Sequence, residues 1–363
     1  MARLTPLRGS RCAGALLLCL ALGLALVAGQ ATSRTVLPAP VSASLRGLCV
    51  VNPRVVWASG TGGVWLRTVD AGAHWTAGVV PGAERLDFRD VKAFSGQLAY
   101  LMAVGAAGGI FKTTDGGASW RRLYANSDPG FFLDALAFWD PNHGLALGDP
   151  LQGRFLLLRT SDGGATWQPA VAMPPALPGE GAFAASGTAL VLARRHRRRA
   201  WFATGGHWGA RVFRSTNAGR SWIATPTPMT DPEGGAGAGI FSLAFWDLRH
   251  GVAVGGDYTR PQATTRTVAL SDDGGVTWRL ASGAPPRGYR SAIAIAPGSA
   301  SRPPVLVAVG PTGADLSRDG GNSWASISSQ PLNSVAFAAY ATGWAVGPRG
   351  IVVRFTVPPP PHP

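Results

Sequence analysis

Cysteine is scarce in this chain. It has three cysteines in 363 residues, and two of them, Cys12 and Cys19, lie in an N-terminal segment that we expect to be removed. A chain left with Cys49 alone cannot form an internal disulfide, so we expect packing and strand pairing to supply its stability. Cys49 stands in the apolar stretch LCVVN, which indicates a small core residue rather than a nucleophile.

Long hydrophobic runs are missing except at the N-terminus. There, three arginines precede an apolar run from Ala13 to Gly29, which leads into small residues. This pattern predicts a secretory signal peptide over residues 1–31, and hence a periplasmic or secreted bacterial protein with no transmembrane segment in its mature chain. A retained membrane anchor is the alternative, but a spanning helix needs about 20 firmly apolar residues and this run is diluted by Ala and Gly.

Acidic residues are also few, with 19 Asp+Glu against 33 Lys+Arg and a formal net charge of +14. Such an excess favours acidic partners. No aromatic-basic nucleic-acid motif accompanies the charge, so nucleic acid is not an expected partner. The densest basic run, ARRHRRRAW (193–201), lies between two apolar stretches. It predicts a solvent-facing hairpin turn, with a contact point for an acidic partner or anionic lipid as the alternative.

A sustained helical period of 3.6 residues is absent after the N-terminal segment. With 49 Gly and 29 Pro, the composition is typical of many short strands and turns, which favours an all-β fold. The sequence contains no dinucleotide-binding fingerprint, no haem-attachment CxxCH and no Cys/His set with metal-ligand spacing. We therefore expect neither a cofactor nor a metal, and no oxidoreductase activity.

What the chain has in abundance is one octet, which carries an acid or amide at its third position, glycine at its fifth and tryptophan at its eighth. The copies begin 45 to 56 residues apart, and a period near 45 residues is about one four-stranded blade of a β-propeller. The six copies are TVDAGAHW (68–75), TTDGGASW (113–120), TSDGGATW (160–167), STNAGRSW (215–222), SDDGGVTW (271–278) and SRDGGNSW (317–324).

Each octet is predicted to be the turn between the third and outermost strands of a blade. Its carboxylate or amide can accept bonds from backbone N–H groups, its glycine can adopt positive φ, and its tryptophan can close the space between sheets. We therefore assign the third-position residues a structural role rather than a catalytic or metal-binding one. These residues are Asp70, Asp115, Asp162, Asn217, Asp273 and Asp319.

An apolar strand ending in a glycine-rich turn precedes each octet and occurs once more near the C-terminus, which makes seven. The last copy, GWAVGPRG (343–350), runs into IVVRF (351–355) and then into a proline-rich end rather than an octet. We predict one seven-bladed β-propeller over residues 32–356, expected to be monomeric, whose last blade takes its outer strand from RTVLPAP (34–40). The Pro-rich segment 357–363 is predicted to be a disordered tail.

The octet resembles the Asp-box, or BNR, repeat of sialidases and other propellers. The run SLRGLCVVNPRVVWASGTGG, the duplicated LAFWD (136–140 and 243–247) and GWAVGPRG further resemble exported bacterial relatives of the photosystem II assembly and stability factor, over about residues 42–355. This resemblance implies a seven-bladed propeller that acts as a non-enzymatic binding scaffold or assembly factor. The photosynthetic members of that family hold a newly made reaction-centre subunit through a basic patch.

The mouth of the central channel is the expected ligand site, because loops at the start of the innermost strands surround it. Aligned inner strands place Arg46, Arg89, Asp134, Phe241, Ser291 and Asn333 at this end. Loops between second and third strands add further polar residues, and the longer fourth blade brings PGEGAFAASG (178–187) over the mouth. The predicted ligand-binding residues are Arg46, Arg89, Asp134, Asp149, Glu180, Asp257, Tyr258, Tyr289, Arg290 and Arg349.

Three interpretations of these residues remain open. In a binding site for a protein client or an acidic, carboxylate-bearing ligand, the arginines grip carboxylates and the tyrosines supply flat contacts. In a sialidase-like glycoside hydrolase or glycan-binding protein, the arginines hold a substrate carboxylate while Tyr258 or Tyr289 and an acid such as Glu180 act on the sugar. The absence of an Arg-Ile-Pro signature before the first blade favours binding over catalysis. Any single one of these residues can also be an ordinary solvated loop position.

Overall fold

The protein is described by a computed structural model, in which residues 33–37, 39–193, 196, 198–207, 209–229, 235–296, 303–339 and 342–357 are placed. The predicted signal peptide, nearly all of the predicted tail and part of the ARRHRRRAW run lie outside these residues. Within them, one short 3-10 turn, Pro348–Gly350, is the only helical element. No helix in the placed part of the chain is both long and apolar enough to span a bilayer.

Thirty β-strands form seven antiparallel sheets in the placed residues, one for each blade. The first strand, β1 (Ser33–Leu37), belongs to the last blade. Blade 1 contains β2 (Leu45–Val50), β3 (Val56–Gly60), β4 (Val64–Thr68) and β5 (Thr76–Val79). Blade 2 contains β6 (Phe88–Ala93), β7 (Ala99–Ala103), β8 (Gly109–Thr113) and β9 (Arg121–Ala125). Blade 3 contains β10 (Leu133–Phe138), β11 (Gly144–Leu151), β12 (Arg154–Thr160) and β13 (Gln168–Pro169).

The fourth and fifth blades interlock through two short strands. These strands are β14 (Glu180–Gly181) and β17 (Gly205–Gly206). Blade 4 contains β15 (Leu190–Leu192), β16 (Ala200–Ala203), β18 (Arg211–Ser215) and β19 (Ile223–Pro226). Blade 5 contains β20 (Ala238–Phe245), β21 (Gly251–Asp257), β22 (Val268–Ser271) and β23 (Arg279–Leu280). Its sheet is extended to six strands because β17 pairs with β20 and β14 pairs with β17.

The last two blades complete the ring. Blade 6 contains β24 (Ala292–Ile295), β25 (Leu306–Gly310), β26 (Gly313–Ser317) and β27 (Ala325–Ser328). Blade 7 contains β28 (Ser334–Ala339), β29 (Thr342–Val346) and β30 (Val352–Thr356), with β1 as its outer strand. The pairing of β1 with β30 runs from Ser33 opposite Thr356 to Leu37 opposite Val352. The predicted seven-bladed, all-β propeller is therefore confirmed, together with its closure by the N-terminal strand.

The six octets join the third strand of a blade to the fourth, as predicted. In blade 2 the hydroxyl of Thr113 donates to the Asp115 carboxylate at 2.7 Å and accepts from the Gly117 N–H at 2.9 Å. Asp115 in turn accepts from the Ser119 N–H at 2.9 Å. All six octets repeat these three bonds. The first-position hydroxyl is therefore the buried centre of each turn, a role that the sequence analysis did not assign.

The fifth-position glycine of each octet packs closely against side chains of the preceding blade. Gly117 has φ 93°, and a Cβ atom there would lie 2.4 Å from the Trp65 ring of blade 1. Trp120 of the same octet packs edge-on against Trp57, which also belongs to blade 1, with ring centroids 6.3 Å apart. Gly72 of blade 1 meets Trp344 of blade 7 in the same way. Because both the backbone angle and the contact exclude a side chain, the octets fix the spacing between neighbouring blades.

Candidate binding site at the channel mouth

Irregular pairing in the inner strands brings the predicted residues to one end of the channel. In four blades, the register between the first and second strands shifts by one residue near the start of the inner strand. An extra residue in one strand of a pair bends that strand and redirects a side chain, which is why β-bulges occur beside functional sites. The bulged residues are Arg46, Arg89, Asp134 and Phe241.

These four side chains line one cavity of about 550 Å³. Ser291 and Asn333, which directly precede the inner strands of blades 6 and 7, line it as well. Of the ten predicted ligand-binding residues, the structure places six around this cavity. They are Arg46, Arg89, Asp134, Asp149, Tyr258 and Tyr289.

The two arginines differ in how fully their guanidinium groups are engaged. Arg89 Nε donates to Asp87 Oδ2 at 2.7 Å, and its Nη1 donates to the carbonyl of Ala184 at 3.3 Å. Arg46 Nε is buried and has no hydrogen-bond partner among the placed residues. Burial and the like charge of Arg89 lower the pKa of Arg46, although it stays cationic at neutral pH. Arg46 therefore has a buried N–H donor that no placed residue accepts, whereas the guanidinium group of Arg89 already makes two hydrogen bonds. Of the two arginines, Arg46 is better suited to bind an anionic partner.

The two carboxyl groups of the cavity wall differ in burial, because Asp134 is fully buried and Asp149 is partly exposed. Asp134 is fully buried, and neither of its oxygens has a hydrogen-bond partner in the described part of the chain. Burial, reinforced by the neighbouring Asp149, raises the pKa of Asp134 well above the usual range. Burial also raises the pKa of Asp149, which accepts a hydrogen bond from the Ala182 N–H at 3.0 Å. Charge on Asp134 is therefore unfavourable unless a cation approaches it.

Aromatic rings form another part of the cavity wall. Phe183 and Phe241 stack with ring centroids 3.9 Å apart, and Tyr289 meets Phe241 edge-on at 4.6 Å. Burial raises the pKa of the Tyr289 phenol, which therefore stays neutral at physiological pH. Tyr258 is 52% exposed and stands at the rim of the cavity. The cavity thus offers positive, negative and aromatic surfaces together.

The longer loop of blade 4 covers the mouth, as the sequence analysis expected. Ala182 and Ala184 bond to Asp149 and Arg89 through their backbones, and Phe183 lies between them on the cavity wall. Glu180, however, is turned away from the cavity. Its carboxylate is buried against Arg211 and the Thr204 hydroxyl, with Arg211 Nε to Glu180 Oε1 at 2.8 Å. Glu180 therefore anchors this loop and does not line the predicted site.

Three further predicted residues also lie away from the cavity lining. Arg290 is fully buried in an ion pair with Asp315 of β26. Asp257 caps a turn by accepting from the Thr259 N–H at 2.9 Å and pairs with Arg260. Arg349 is exposed on the Pro348–Gly350 turn with φ 55°. The placement of Arg290 and Asp257 follows from local pairing partners, which the spacing of the repeats does not reveal.

Three aromatic residues that line the cavity, Phe132, Phe183 and Phe241, are not in the predicted ligand-binding set. The alignment of the inner strands places Phe241 level with the arginines, which is a signal for its position at the mouth. Phe183 is the single aromatic residue of the PGEGAFAASG segment, which was a usable signal. The glycosidase interpretation places an acid such as Glu180 beside Tyr258 or Tyr289. Glu180 does not line the cavity that contains both tyrosines, whereas Asp134 and Asp149 do.

Comparisons with known proteins agree with this architecture. Residues 86–236, which include blades 2 to 4, match the family model of the photosynthesis system II assembly factor YCF48. The resemblance to this family is confirmed. No curated protein matches the chain by sequence.

Several solved structures share the fold. A structure of YCF48 bound to D1 peptide is 15% identical, with a TM-score of 0.62, and the match covers 90% of this chain and 97% of that one. YCF48 from Cyanidioschyzon merolae is 17% identical, with a TM-score of 0.58 and coverage of 89% and 98%. Virginiamycin B lyase from Staphylococcus aureus is 12% identical, with a TM-score of 0.63 and coverage of 90% and 100%. At such identities the likeness shows the propeller fold alone.

Proposed function

We propose that this chain is an exported, non-enzymatic propeller that binds a segment of a client protein in the channel mouth, where Arg46 holds a carboxylate of that segment. The observation that carries the proposal is the cavity of about 550 Å³ that is lined by Arg46, Arg89 and aromatic residues, among them Phe183, Phe241, Tyr258 and Tyr289. Its size falls within the range of about 300–1,000 Å³ that is usual for ligand pockets. The match to the YCF48 family and the YCF48 structure bound to D1 peptide support a protein client.

The arginines give this site its preference for carboxylates. A guanidinium group can hold a carboxylate through two parallel hydrogen bonds, and Arg46 has a buried donor without a partner. Arg89 is oriented by Asp87 and Ala184, so it adds positive potential without needing to move. The net charge, +14 for the full chain and +11 without the three arginines of residues 1–31, favours the approach of acidic segments from a distance.

The aromatic rim gives the site its contact area. Tyr258 is half exposed beside the buried pair Phe241 and Tyr289, with 6.3 Å between the Tyr258 and Phe241 ring centroids. Tyrosine residues in this position frequently dominate the binding energy of protein interfaces. We therefore expect Tyr258 to pack against the client when Arg46 binds its carboxylate.

Quantitative affinity capture from a periplasmic extract tests the proposal. Wild-type protein is compared with Arg46→Ala and Tyr258→Ala, and with Arg279→Ala as a control that removes an exposed arginine on β23. We expect the two mouth variants to lose one common client that the control retains. Clients retained equally by all four proteins would contradict the proposed site.

A further inference from the structure

Asp134 differs from the other buried carboxylates near the channel. Asp90 is equally buried, but Lys92 Nζ lies 2.8 Å from one of its oxygens and the Leu136 N–H donates to the other at 2.8 Å. Asp315 is paired with Arg290. Asp134 has no hydrogen-bond partner for either oxygen among the placed residues, yet it lines the mouth cavity. Buried polar groups without partners are uncommon and costly, so such a group at a cavity points to a ligand.

The groups around Asp134 do not supply the missing partner. Asp149 has the same sign and opposes ionisation of Asp134. Arg89 attracts Asp134 through space, but its guanidinium group donates to Asp87 and Ala184. Phe241, Tyr289 and the half-exposed Tyr258 line the same cavity, and aromatic rings are favourable neighbours for a cation. The surroundings of Asp134 are therefore suited to a positive group that comes from outside the chain.

A metal ion is a poor candidate for this positive group. Hard cations such as Ca²⁺ require six or more oxygen ligands, and zinc requires three or four ligands from the protein. Among the placed residues, no three His, Cys, Asp or Glu side chains come together in a way that could hold a metal ion. An organic cation needs only one or two carboxylates and an aromatic surface, which are present here.

We propose that Asp134 receives a cationic group of the client segment, a lysine ammonium or an arginine guanidinium, in the same cavity in which Arg46 holds a carboxylate. This inference rests on the proposed function and narrows it, because the client segment must then carry both charges rather than acids alone. Charge-assisted hydrogen bonds from the cation satisfy both oxygens of Asp134. The same cation offsets the repulsion between Asp134 and Asp149.

Binding of short peptides to the mature propeller tests this inference by isothermal titration calorimetry. The probes are acetylated Gly-Gly-Lys, Gly-Gly-Arg and Gly-Gly-norleucine, each with a free C-terminal carboxylate, and acetylated Lys-Gly-Gly for a wider separation of charges. Norleucine keeps the alkyl chain of lysine and removes its charge. For the wild-type protein, we expect at least one lysine or arginine peptide to bind about tenfold or more tightly than the norleucine peptide.

The charge of Asp134 is then removed by Asp134→Asn. We expect this variant to lose the preference, so that it binds the cationic peptides no more tightly than the norleucine peptide. Asp272→Asn, which removes an exposed carboxylate outside the cavity, should keep the preference. If the wild-type protein binds none of the lysine and arginine peptides more tightly than the norleucine peptide, the role of Asp134 is overturned, and this comparison needs no variant.

The outcomes separate this inference from the function on which it rests. If all four peptides bind equally and Arg46→Ala weakens each of them, the carboxylate site stands and the cation site is wrong. If no peptide binds, or if Arg46→Ala changes nothing, both are wrong. If Asp134→Asn weakens the norleucine peptide as much as the lysine peptide, Asp134 does not recognise charge and the inference fails.

Discussion

Arg290 and Asp315 form an ion pair that solvent does not reach. Arg290 Nε donates to Asp315 Oδ2 at 2.7 Å, and both side chains are at most 1% exposed. Arg290 Nη1 also donates to the Thr312 hydroxyl at 2.6 Å and to the Tyr289 carbonyl at 2.9 Å. The pair therefore ties the segment before β24 to β26 and holds Tyr289 in place behind the mouth.

Removal of one partner of this pair should be costly. Asp315→Ala leaves the Arg290 guanidinium buried without its counter-charge, so we expect the free energy of unfolding to fall by about 3–5 kcal/mol. Urea denaturation measures this loss. Asp272→Ala is the matched control, because it breaks an exposed pair with Arg279 and should cost less than about 1 kcal/mol. Similar midpoints for the two variants would contradict a structural role for the buried pair.

The same pair shows where the sequence analysis was informative and where it was not. The repeat fixes which residue begins each inner strand, and the structure places Arg46, Arg89 and Asp134, which the repeat aligns, around one cavity. Arg290 is adjacent to Ser291, and successive residues of an extended chain point to opposite faces. Ser291 faces the cavity while Arg290 turns to β26. A repeat pattern gives positions along the chain, but it does not give pairing partners between strands, such as Asp315 for Arg290 or Arg211 for Glu180.

The first-position hydroxyl of the octet is the group that we expect to matter most for its stability. The Thr113 hydroxyl is buried, and it both accepts from the Gly117 N–H and donates to Asp115. Thr113→Val keeps the shape of the side chain but leaves that N–H without a partner, so we expect a loss of about 1–3 kcal/mol in unfolding free energy. Thr114→Val is the control, because Thr114 is the exposed neighbour. Equal stability of the two variants would show that the hydroxyl is dispensable.

Acid should weaken the octets, because their carboxylates are stabilised in the charged form. Hydrogen bonds, chiefly from Ser119 in one octet and Thr166 in another, lower the pKa of Asp115 and of Asp162 to about 2 in each case. A group whose pKa is lower in the folded state than its unfolded value, about 3.9, stabilises the protein above that value and loses this effect as pH falls. We therefore expect the melting temperature to fall between about pH 5 and pH 2.

The double variant Asp115→Asn/Asp162→Asn tests the origin of this acid sensitivity. Each asparagine can still accept the backbone hydrogen bond but no longer titrates, so the decline in melting temperature should become shallower. Asp272→Asn is the control, because it removes an exposed negative charge from the second position of the octet at 271–278. An unchanged pH profile in the double variant would assign the acid sensitivity to other groups.

Closure of the ring by β1 should contribute measurably to stability. This strand pairs with β30 over five residues, and Leu37 packs against the buried cluster that contains Trp344 and Val352. Deletion of residues 1–37 is compared with deletion of residues 1–32, which keeps β1. We expect the longer deletion to lose at least about 3 kcal/mol relative to the shorter one, from lost apolar burial and ladder hydrogen bonds. Identical urea midpoints would mean that the ring does not depend on its closing strand.

Asp134 should have the opposite pH dependence from the octets. Its pKa is raised in the folded state by burial and by Asp149, with Arg89 acting against them. Such a group destabilises the protein once pH exceeds its unfolded value, about 3.9, and the penalty is complete above its folded pKa. Asp134→Asn removes this titration, so we expect the variant to be more stable than the wild type by about 1 kcal/mol or more at pH 8. The advantage should shrink as pH falls towards 4, because the wild-type carboxyl then takes up its proton. Melting curves of both proteins between pH 4 and pH 8 measure this difference, and a difference that does not vary with pH would show that folding does not raise the pKa of Asp134.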